Sequence, residues 1–483
     1  MQDRSEYYES DEFQELLGEY EENMEKGMPI FMDADDLVEI ADFYEWQGRR
    51  DEADEAVDKA LELDPTCAAA LAFKVGDALE TMNLAKAHFY LDQITDTDDP
   101  EYVYSRAEVM IAEDKAQECD QWLLELFKDT PDDERDDFVM DAMNIYCDWE
   151  HYDLALQWMM RMQPVDNDDF RELVGRIYYG TEQYEKCEET FKQLLDSDPF
   201  NLRYWVTLAS AQYMLCKYEE ALASSEYAIA IDPTAGDALL GKANALFHME
   251  RYDEAYQFFD RYTEVVPDDA LAEVNKAACL INSGRYTEGL EMLQQMLSDL
   301  KDDDELLLDV YHQMAFAYGE LGRFDDALDI LELMMKLPNC QLTQVEVTKG
   351  HMQLAAGRLQ EAEDTFRQAV NRSNKPMQTL LQVIVSLYDN GLLTTSYNMM
   401  GRFFLLQEQD AHDGYGYMAL FCHDLKREAE YLHYLQLACR HNTSEAYQAL
   451  HHLFPHDIAP ADYYDYAVAH PADGDVSSET NTN

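Results

Sequence analysis

Residues 202–235 read LRYWVTLASAQYMLCKYEEALASSEYAIAIDPTA, and this stretch defines the unit from which most of the chain is built. A large residue, Trp205, stands at its fourth position, and alanines stand at its eighth and twentieth, Ala209 and Ala221. Small residues at such positions let two helices approach closely. Pro233 has no N–H to donate and ends the second helix. The stretch therefore predicts a helix, a tight turn and a second helix packed back on the first.

The unit is repeated. Pro199, Pro233 and Pro267 follow one another at intervals of 34 residues, the period of helix-turn-helix arrays, and Pro65 closes an earlier copy. The unit before the reference carries Gly175 and Cys187 at the two small positions, and the unit after it carries Ala243 and Ala255. In later units a glycine marks the turn between the paired helices, because glycine readily adopts left-handed backbone angles. These glycines are Gly284, Gly322, Gly357 and Gly391.

This pattern resembles the tetratricopeptide repeat, and the chain is similar to multi-repeat scaffolds of the bacterial type. The resemblance covers residues 34–443, or about twelve units. It implies an all-α protein: an α-solenoid, wound as a right-handed superhelix, of about twelve tetratricopeptide-like helix-turn-helix repeats.

The two ends depart from the repeat. Residues Asp11 to Lys26 form an amphipathic pattern, with Phe13, Leu17 and Tyr20 on one face, and predict a helix that caps the first repeat. A second capping helix is predicted from Ala446 to Phe454, where Pro455 would stop it. The predicted organisation is an N-terminal capping region (1–33), the repeat array (34–443), a C-terminal capping segment (444–469) and a disordered tail (470–483).

The chain is strongly acidic, with 100 Asp and Glu residues against 35 Lys and Arg and a formal net charge of -65. Such a charge repels nucleic acid backbones and anionic membrane surfaces. The excess is uneven: residues 1–100 hold 29 acidic and 7 basic residues, whereas residues 342–454 hold 12 and 9. Self-repulsion that keeps an extended array soluble is one explanation, and attraction of a basic partner to the N-terminal part is another. A high-salt host is a third explanation, which the frequent Cys and Met do not favour.

Cysteine usage favours a reducing compartment. The nine cysteines form no Cys-x-x-Cys pair, and Cys119 and Cys187 occupy small positions of the repeat. No apolar run reaches the 18 or so residues that a spanning helix needs. The cytoplasm is the expected location, and the oligomeric state stays open.

A partner groove is predicted on the first helices of the pairs, which line the concave side of such arrays. Related proteins that hold a peptide carboxylate use a clamp of Lys, Asn and Arg; Asn244 matches its Asn, but Leu240 stands at a Lys position. The incomplete clamp argues against that ligand and favours a protein or peptide segment with apolar or basic side chains. The predicted groove residues are Arg176, Tyr179, Arg203, Val206, Ser210, Tyr213, Leu240, Asn244, Phe247, Asn275, His312, Gln313 and Phe316.

No motif for catalysis is present: neither a glycine-rich phosphate loop nor a nucleophile elbow nor a His-Glu-x-x-His zinc helix occurs. Histidines are frequent near the C-terminus, but they are spread over several helical turns, and a metal site needs convergent ligands. We therefore expect no catalytic residue, no cofactor and no metal. The sequence favours a non-enzymatic scaffold or adaptor; the alternative is a regulatory or catalytic subunit of a larger assembly whose activity no motif reveals. The histidines near the C-terminus, which we do not expect to bind a metal, are His412, His423, His433, His441, His451, His452 and His456.

Overall fold

The computed structural model describes residues 7–8, 10–26, 28, 32–298, 300–301, 305–408, 411–455 and 458–470. The chain divides into two compact units, Met1–Met249 and Glu250–Asn483. Over the described residues it forms 27 α-helices and no β-strand, as the repeat pattern predicts. The predicted disordered tail lies outside the described residues from position 471 onward.

The first unit holds one leading helix, six helix pairs and the first helix of a seventh repeat. Its helices are α1 (Asp11–Lys26), α2 (Ala34–Trp46), α3 (Arg50–Leu63), α4 (Ala68–Glu80), α5 (Leu84–Leu91), α6 (Pro100–Ala112), α7 (Ala116–Asp129), α8 (Arg135–Asp148), α9 (Tyr152–Met159), α10 (Asp168–Gly180), α11 (Tyr184–Ser197), α12 (Leu202–Met214), α13 (Tyr218–Ile231) and α14 (Gly236–His248).

The second unit begins with the second helix of that seventh repeat and continues with five pairs and two further helices. Its helices are α15 (Tyr252–Val265), α16 (Ala270–Asn282), α17 (Tyr286–Leu297), α18 (Leu307–Glu320), α19 (Phe324–Met334), α20 (Leu342–Ala355), α21 (Leu359–Arg372), α22 (Pro376–Asp389), α23 (Leu393–Leu406), α24 (Tyr415–Asp424), α25 (Glu428–His441), α26 (Thr443–Leu450) and α27 (Tyr463–Ala469).

Every turn between a first and a second helix contains one residue in the left-handed backbone region. Glycines occupy five of these positions, as predicted for the later repeats. Seven positions hold other residues, although a left-handed angle costs them roughly 1–2 kcal/mol. The twelve turn residues are Gly48, Met82, Asp114, Glu150, Glu182, Cys216, Glu250, Gly284, Gly322, Gly357, Gly391 and Lys426. Their number agrees with the twelve repeats predicted from the sequence.

A small buried side chain at the fourth residue of the second helix sets the distance within a pair. At Gly289 of α17 the helices are so close that an added Cβ would lie 3.0 Å from the Ala277 carbonyl oxygen of α16. Only Tyr431 of α25 is large at this position. The others, all buried, are Ala53, Ala87, Cys119, Ala155, Cys187, Ala221, Ala255, Gly289, Ala327, Ala362 and Ser396.

Contacts in each unit join helices that are one or two apart in the chain. Several pairs of successive first helices touch each other: α2 touches α4, α4 touches α6, α6 touches α8, and α8 touches α10. The same holds for α12 with α14 and, in the second unit, for α16 with α18 and α20 with α22. Each unit therefore carries a face built from its first helices, and this face is where the predicted groove residues lie.

The predicted C-terminal helix was wrong in its bounds. Helix α26 begins at Thr443, because the Asn442 side chain accepts a hydrogen bond from the Glu445 amide and caps the helix. It ends at Leu450, and a 3-10 turn, His451–Leu453, follows. The sequence pattern also missed α27, whose Tyr463 stacks on Phe454 with ring centroids 4.0 Å apart. The predicted N-terminal helix, α1, is present with the expected bounds.

Alanine substitution at two glycines of the second unit should change stability in opposite directions. Gly391 lies in a turn with φ +78°, and Gly401 lies within α23. At both positions a Cβ has room, because no heavy atom beyond the adjacent residues and the backbone of the same helix would lie within 4 Å of it. Gly391→Ala should destabilise by about 1 kcal/mol, because alanine resists this angle. Gly401→Ala should stabilise by about 0.5–1 kcal/mol. Urea unfolding of both variants measures these changes, and a shift of the same sign in both would contradict the turn assignment.

The close helix contact makes a second prediction. Ala221 of α13 is 1% exposed, so Ala221→Leu should destabilise by about 1–3 kcal/mol through overpacking. Ala223→Leu is the matched control, because Ala223 is exposed on the same helix and should change stability by less than about 0.5 kcal/mol. Thermal unfolding of the two variants compares them. Equal stability of Ala221→Leu and the parent protein would disprove the repeat register.

Candidate functional site

The first unit contains a cleft of about 460 Å³ across α10, α12 and α14, here called the tyrosine cleft. Eight of the thirteen predicted groove residues line it. The other six lining residues were not among the predicted groove residues. The predicted members are Arg176, Tyr179, Arg203, Val206, Ser210, Tyr213, Leu240 and Asn244, and the others are Tyr152, Thr207, Ala209, Met214, Asp237 and Gly241.

Both arginines of the tyrosine cleft are already engaged in ion pairs. Arg176 Nη2 lies 2.6 Å from Asp148 Oδ1, and Arg203 Nη2 lies 3.5 Å from Glu172 Oε1. Burial opposes the charge on Arg176, but the hydrogen bond to Asp148 and the negative charges of Asp148 and Glu172 together outweigh it, and the pKa of the guanidinium is raised. The cleft thus has two guanidinium groups whose charge is largely compensated, rather than a free positive site for a carboxylate.

The ring of Tyr213, which lines the tyrosine cleft, is held by two neighbouring aromatic rings. The ring of Tyr213 meets that of Tyr218 edge-on at 5.7 Å and that of His248 at 5.4 Å. Tyr218 and His248 stack with centroids 4.9 Å apart. These contacts fix the Tyr213 ring before any ligand arrives. Burial raises the pKa of the Tyr213 hydroxyl, so it presents a neutral O–H to the cleft.

The other five predicted groove residues do not line this cleft. Phe247 is half-buried on α14 of the first unit, close to His248. Asn275 on α16, and His312, Gln313 and Phe316 on α18, belong to the second unit. Phe316 is 40% exposed, and α16 and α18 are in contact.

The second unit has its own cleft of about 500 Å³, lined mainly by α20, α22 and α26, which sequence analysis did not predict as a site. It holds His351, Ser386 and Asp389. His351 Nδ1 lies 3.0 Å from Ser386 Oγ and 3.2 Å from Asn390 Nδ2. Burial lowers the pKa of His351. Ser386 is only 4% exposed, and its hydroxyl lies within hydrogen-bond distance of the imidazole.

Carboxylates occupy the first helices of the early repeats. Burial raises the pKa of Glu101, and nearby Asp99, Asp42 and Asp141 add to this effect. Burial raises the pKa of Glu108 to about 7, and the charges of Asp148 and Glu101 contribute. Folding therefore crowds like charges on this face and makes their ionisation unfavourable.

The C-terminal histidines form no centre in the part of the chain that is described. Among those residues no group of three or more His, Cys, Asp or Glu side chains is arranged to hold a metal ion. The rings of His412 and His441 stack at 4.2 Å, and His456 lies outside the described residues. The helices that are described also include none with the length and apolar character to cross a membrane.

Family models match several of these helix pairs. Tetratricopeptide-repeat models match residues 37–67, 175–236 and 217–279. This chain contains tetratricopeptide repeats. A PPR repeat model also matches, over residues 309–338. No curated protein sequence matches this chain.

Solved structures show likeness at low identity. Yeast Tom70 is 14% identical, with coverage of 91% of this chain and 97% of that chain and a TM-score of 0.42. A tetratricopeptide repeat protein from Parabacteroides merdae is 18% identical, with coverage of 56% and 98% and a TM-score of 0.40. A chain of the APC/C hetero-tetramer Cut9–Hcn1 is 14% identical, with coverage of 77% and 73% and a TM-score of 0.40. Likeness at these values does not bear on partner or process.

The raised pKa of Glu108 makes a pH-dependent prediction. Because the folded-state pKa lies near 7 and the ordinary value is 4.5, the ionised carboxylate weakens the fold as pH rises through this range. Glu108→Gln should therefore stabilise the protein by about 1–2 kcal/mol at pH 8, and by less at pH 5, where the folded wild-type carboxyl is protonated.

Thermal unfolding at the two pH values measures this difference. Glu118→Gln, at an exposed position of α7, is the control and should change stability by less than about 0.5 kcal/mol at either pH. A destabilised Glu108→Gln at pH 8 would mean that the carboxylate has a compensating cation.

Proposed function

We propose that this protein is a non-enzymatic scaffold that binds an extended segment of another protein in the tyrosine cleft. Tetratricopeptide-repeat folds in general serve as protein interaction scaffolds, and the proposal assigns that role to one place on this chain. The observation that carries it is the gathering of eight predicted groove residues around one cleft of about 460 Å³.

The chemistry of the tyrosine cleft suits a peptide with apolar side chains. Val206 and Leu240 offer apolar contacts, and Ser210 and Gly241 keep the cleft open for a backbone. Asn244 can donate to and accept from a peptide group. Fixed aromatic rings such as Tyr213 add contact area at little entropic cost. With both arginines paired, affinity would come mainly from shape and apolar burial.

Charge argues against a nucleic acid ligand, although a PPR repeat model matches residues 309–338. That stretch contains six acidic residues and two basic ones, Arg323 and Lys336. On its first helix, α18, Asp309 and Glu320 are the charged residues. A phosphate backbone needs cations on the contact face, so we propose a protein partner and neither nucleic acid nor a membrane surface.

A catalytic subunit is the alternative, and the His351 cleft is the feature that favours it. Ser386 is poorly suited as a nucleophile there, because the residue is only 4% exposed and a nucleophile must reach its substrate. We therefore keep the non-enzymatic assignment. We also propose the cytoplasm as the compartment, since all nine cysteines are unpaired.

The test uses a short random peptide library displayed on phage, selected on the full-length protein. Selected peptides should lose at least about tenfold in affinity when Tyr213→Ala is combined with Val206→Ala. The matched control is Tyr227→Ala, because Tyr227 is 58% exposed on the second helix α13, outside the cleft. Its peptide affinity should stay within about twofold of the parent value.

Circular dichroism on the double variant checks that its helices persist. If the double variant remains folded and binds every selected peptide as tightly as the parent does, the tyrosine cleft is not the binding site. If the purified protein turns over substrates in an ester and peptide hydrolase panel and Ser386→Ala abolishes the turnover, the catalytic alternative replaces the scaffold.

A further inference from the structure

A second cleft of about 590 Å³ lies among the early repeats of the first unit, here called the acidic–aromatic cleft. It is formed by residues of α2, α4, α6 and α8 and the turns that follow α4 and α8. Five of its ten lining residues are carboxylates and none is a lysine or an arginine. The carboxylates are Glu45, Asp77, Glu80, Glu108 and Asp148.

Three of these carboxylates have cationic partners that stand outside the cleft. Lys86 Nζ lies 2.8 Å from Asp77, Arg176 pairs with Asp148 at 2.6 Å, and Arg50 pairs with Glu80. Among the described residues, no lysine or arginine comes within ion-pair distance of Glu45 or Glu108. The cleft therefore keeps two carboxyl groups without an ion-pair partner.

Two aromatic side chains share the cleft with these carboxylates. Phe73 packs against the core formed by α1 to α4, and Trp149 packs against the two neighbouring cores. Both are half-buried, so the core holds each ring while part of it stays open to the cleft. The faces of aromatic rings attract cations, and indole is the strongest of them.

The backbone adds a third attraction for positive charge. Helices α2, α4 and α8 all end beside the cleft, at Trp46, Glu80 and Asp148. The C-terminal end of a helix carries a partial negative charge, which basic residues of the last turn often compensate. None of these three helices has a basic residue in its last turn.

We propose that the acidic–aromatic cleft binds cationic side chains, arginine or lysine, of a protein partner. Carboxylates, aromatic faces and helix C-termini converge on one concave site, and each of them favours a cation. A planar guanidinium can stack on Trp149 while it donates to Glu45 or Glu108. The volume and the aromatic wall suit a long organic cation better than a bare metal ion. This inference goes beyond the proposed function, because other helices build this cleft and either site can fail while the other holds.

The test separates a specific site from the general attraction of cations to a chain of charge -65. The probe is a fluorescent peptide of alternating arginine and alanine, and its affinity is measured by anisotropy at physiological ionic strength. Glu45→Gln combined with Glu108→Gln removes two carboxyl groups from the cleft and keeps the side-chain shape. Glu15→Gln combined with Glu19→Gln removes two charges from exposed positions of α1 and is the matched control.

The cleft variant should bind the peptide at least about tenfold more weakly than the parent, and the control should stay within about twofold. Hydrogen exchange should slow on peptide binding at residues 76–82 and 148–151. Tyr213→Ala with Val206→Ala should leave the affinity for the arginine peptide unchanged, whatever it does to other peptides.

Equal weakening by the two glutamine pairs would overturn the inference, because it would mean that total charge alone collects the peptide. Dependence of the arginine peptide on Tyr213 and Val206 would also overturn it and would assign the cation to the tyrosine cleft. Both glutamine pairs are isosteric, and circular dichroism confirms that each variant is folded before its affinity is compared.

Discussion

The close approach of the two helices in each pair is the constraint on which the rest of the structure depends. At the fourth residue of the second helix, eleven of the twelve repeats carry Ala, Cys, Gly or Ser. At Gly289 even a methyl group would meet the backbone of the first helix. This tight fit sets the angle at which each pair is presented to the next. It thereby lets successive first helices touch and gives each unit a face on which side chains of different repeats meet.

The sequence predicted the elements of this design well because each of them is local. Small positions, closing prolines and turn glycines lie within one 34-residue unit and repeat. The left-handed turns at Met82 and Glu150 were not predictable from composition, because tertiary packing imposes them on residues that resist the angle. The predicted bounds of the C-terminal helix were wrong because the repeat pattern ends there. The Asn442 cap and the stacked rings of Phe454 and Tyr463 determine the structure in that region instead.

The candidate sites were predictable only in part. Aligning the repeats identified Tyr179, Tyr213 and Asn244 as neighbours in a groove, because equivalent positions of successive first helices face the same way. The ion pair between Arg176 and Asp148 was not predicted, since it joins side chains from different repeats at positions that are not equivalent. The raised pKa of Glu108, to which Asp148 and Glu101 contribute, likewise depends on burial. Burial cannot be inferred from the number of charged residues along the sequence.

The tyrosine cleft and the acidic–aromatic cleft differ in the charge of their lining residues. Arg176 lines the tyrosine cleft and Asp148 lines the acidic–aromatic cleft. The ion pair between them therefore compensates one charge in each cleft. The tyrosine cleft is then dominated by aromatic, apolar and amide groups. The acidic–aromatic cleft keeps carboxylates that folding makes costly to ionise. A partner that presents apolar and cationic side chains would complement both surfaces.

Site-specific photo-cross-linking in cells tests the central claim most directly. A photoreactive amino acid is placed at Val206, which lines the tyrosine cleft, or at Ala223, which is exposed on the second helix α13. The account predicts a discrete cross-linked protein from position 206 and none from position 223. Cross-linking of the same protein from position 223 alone, or equally from both positions, would contradict it.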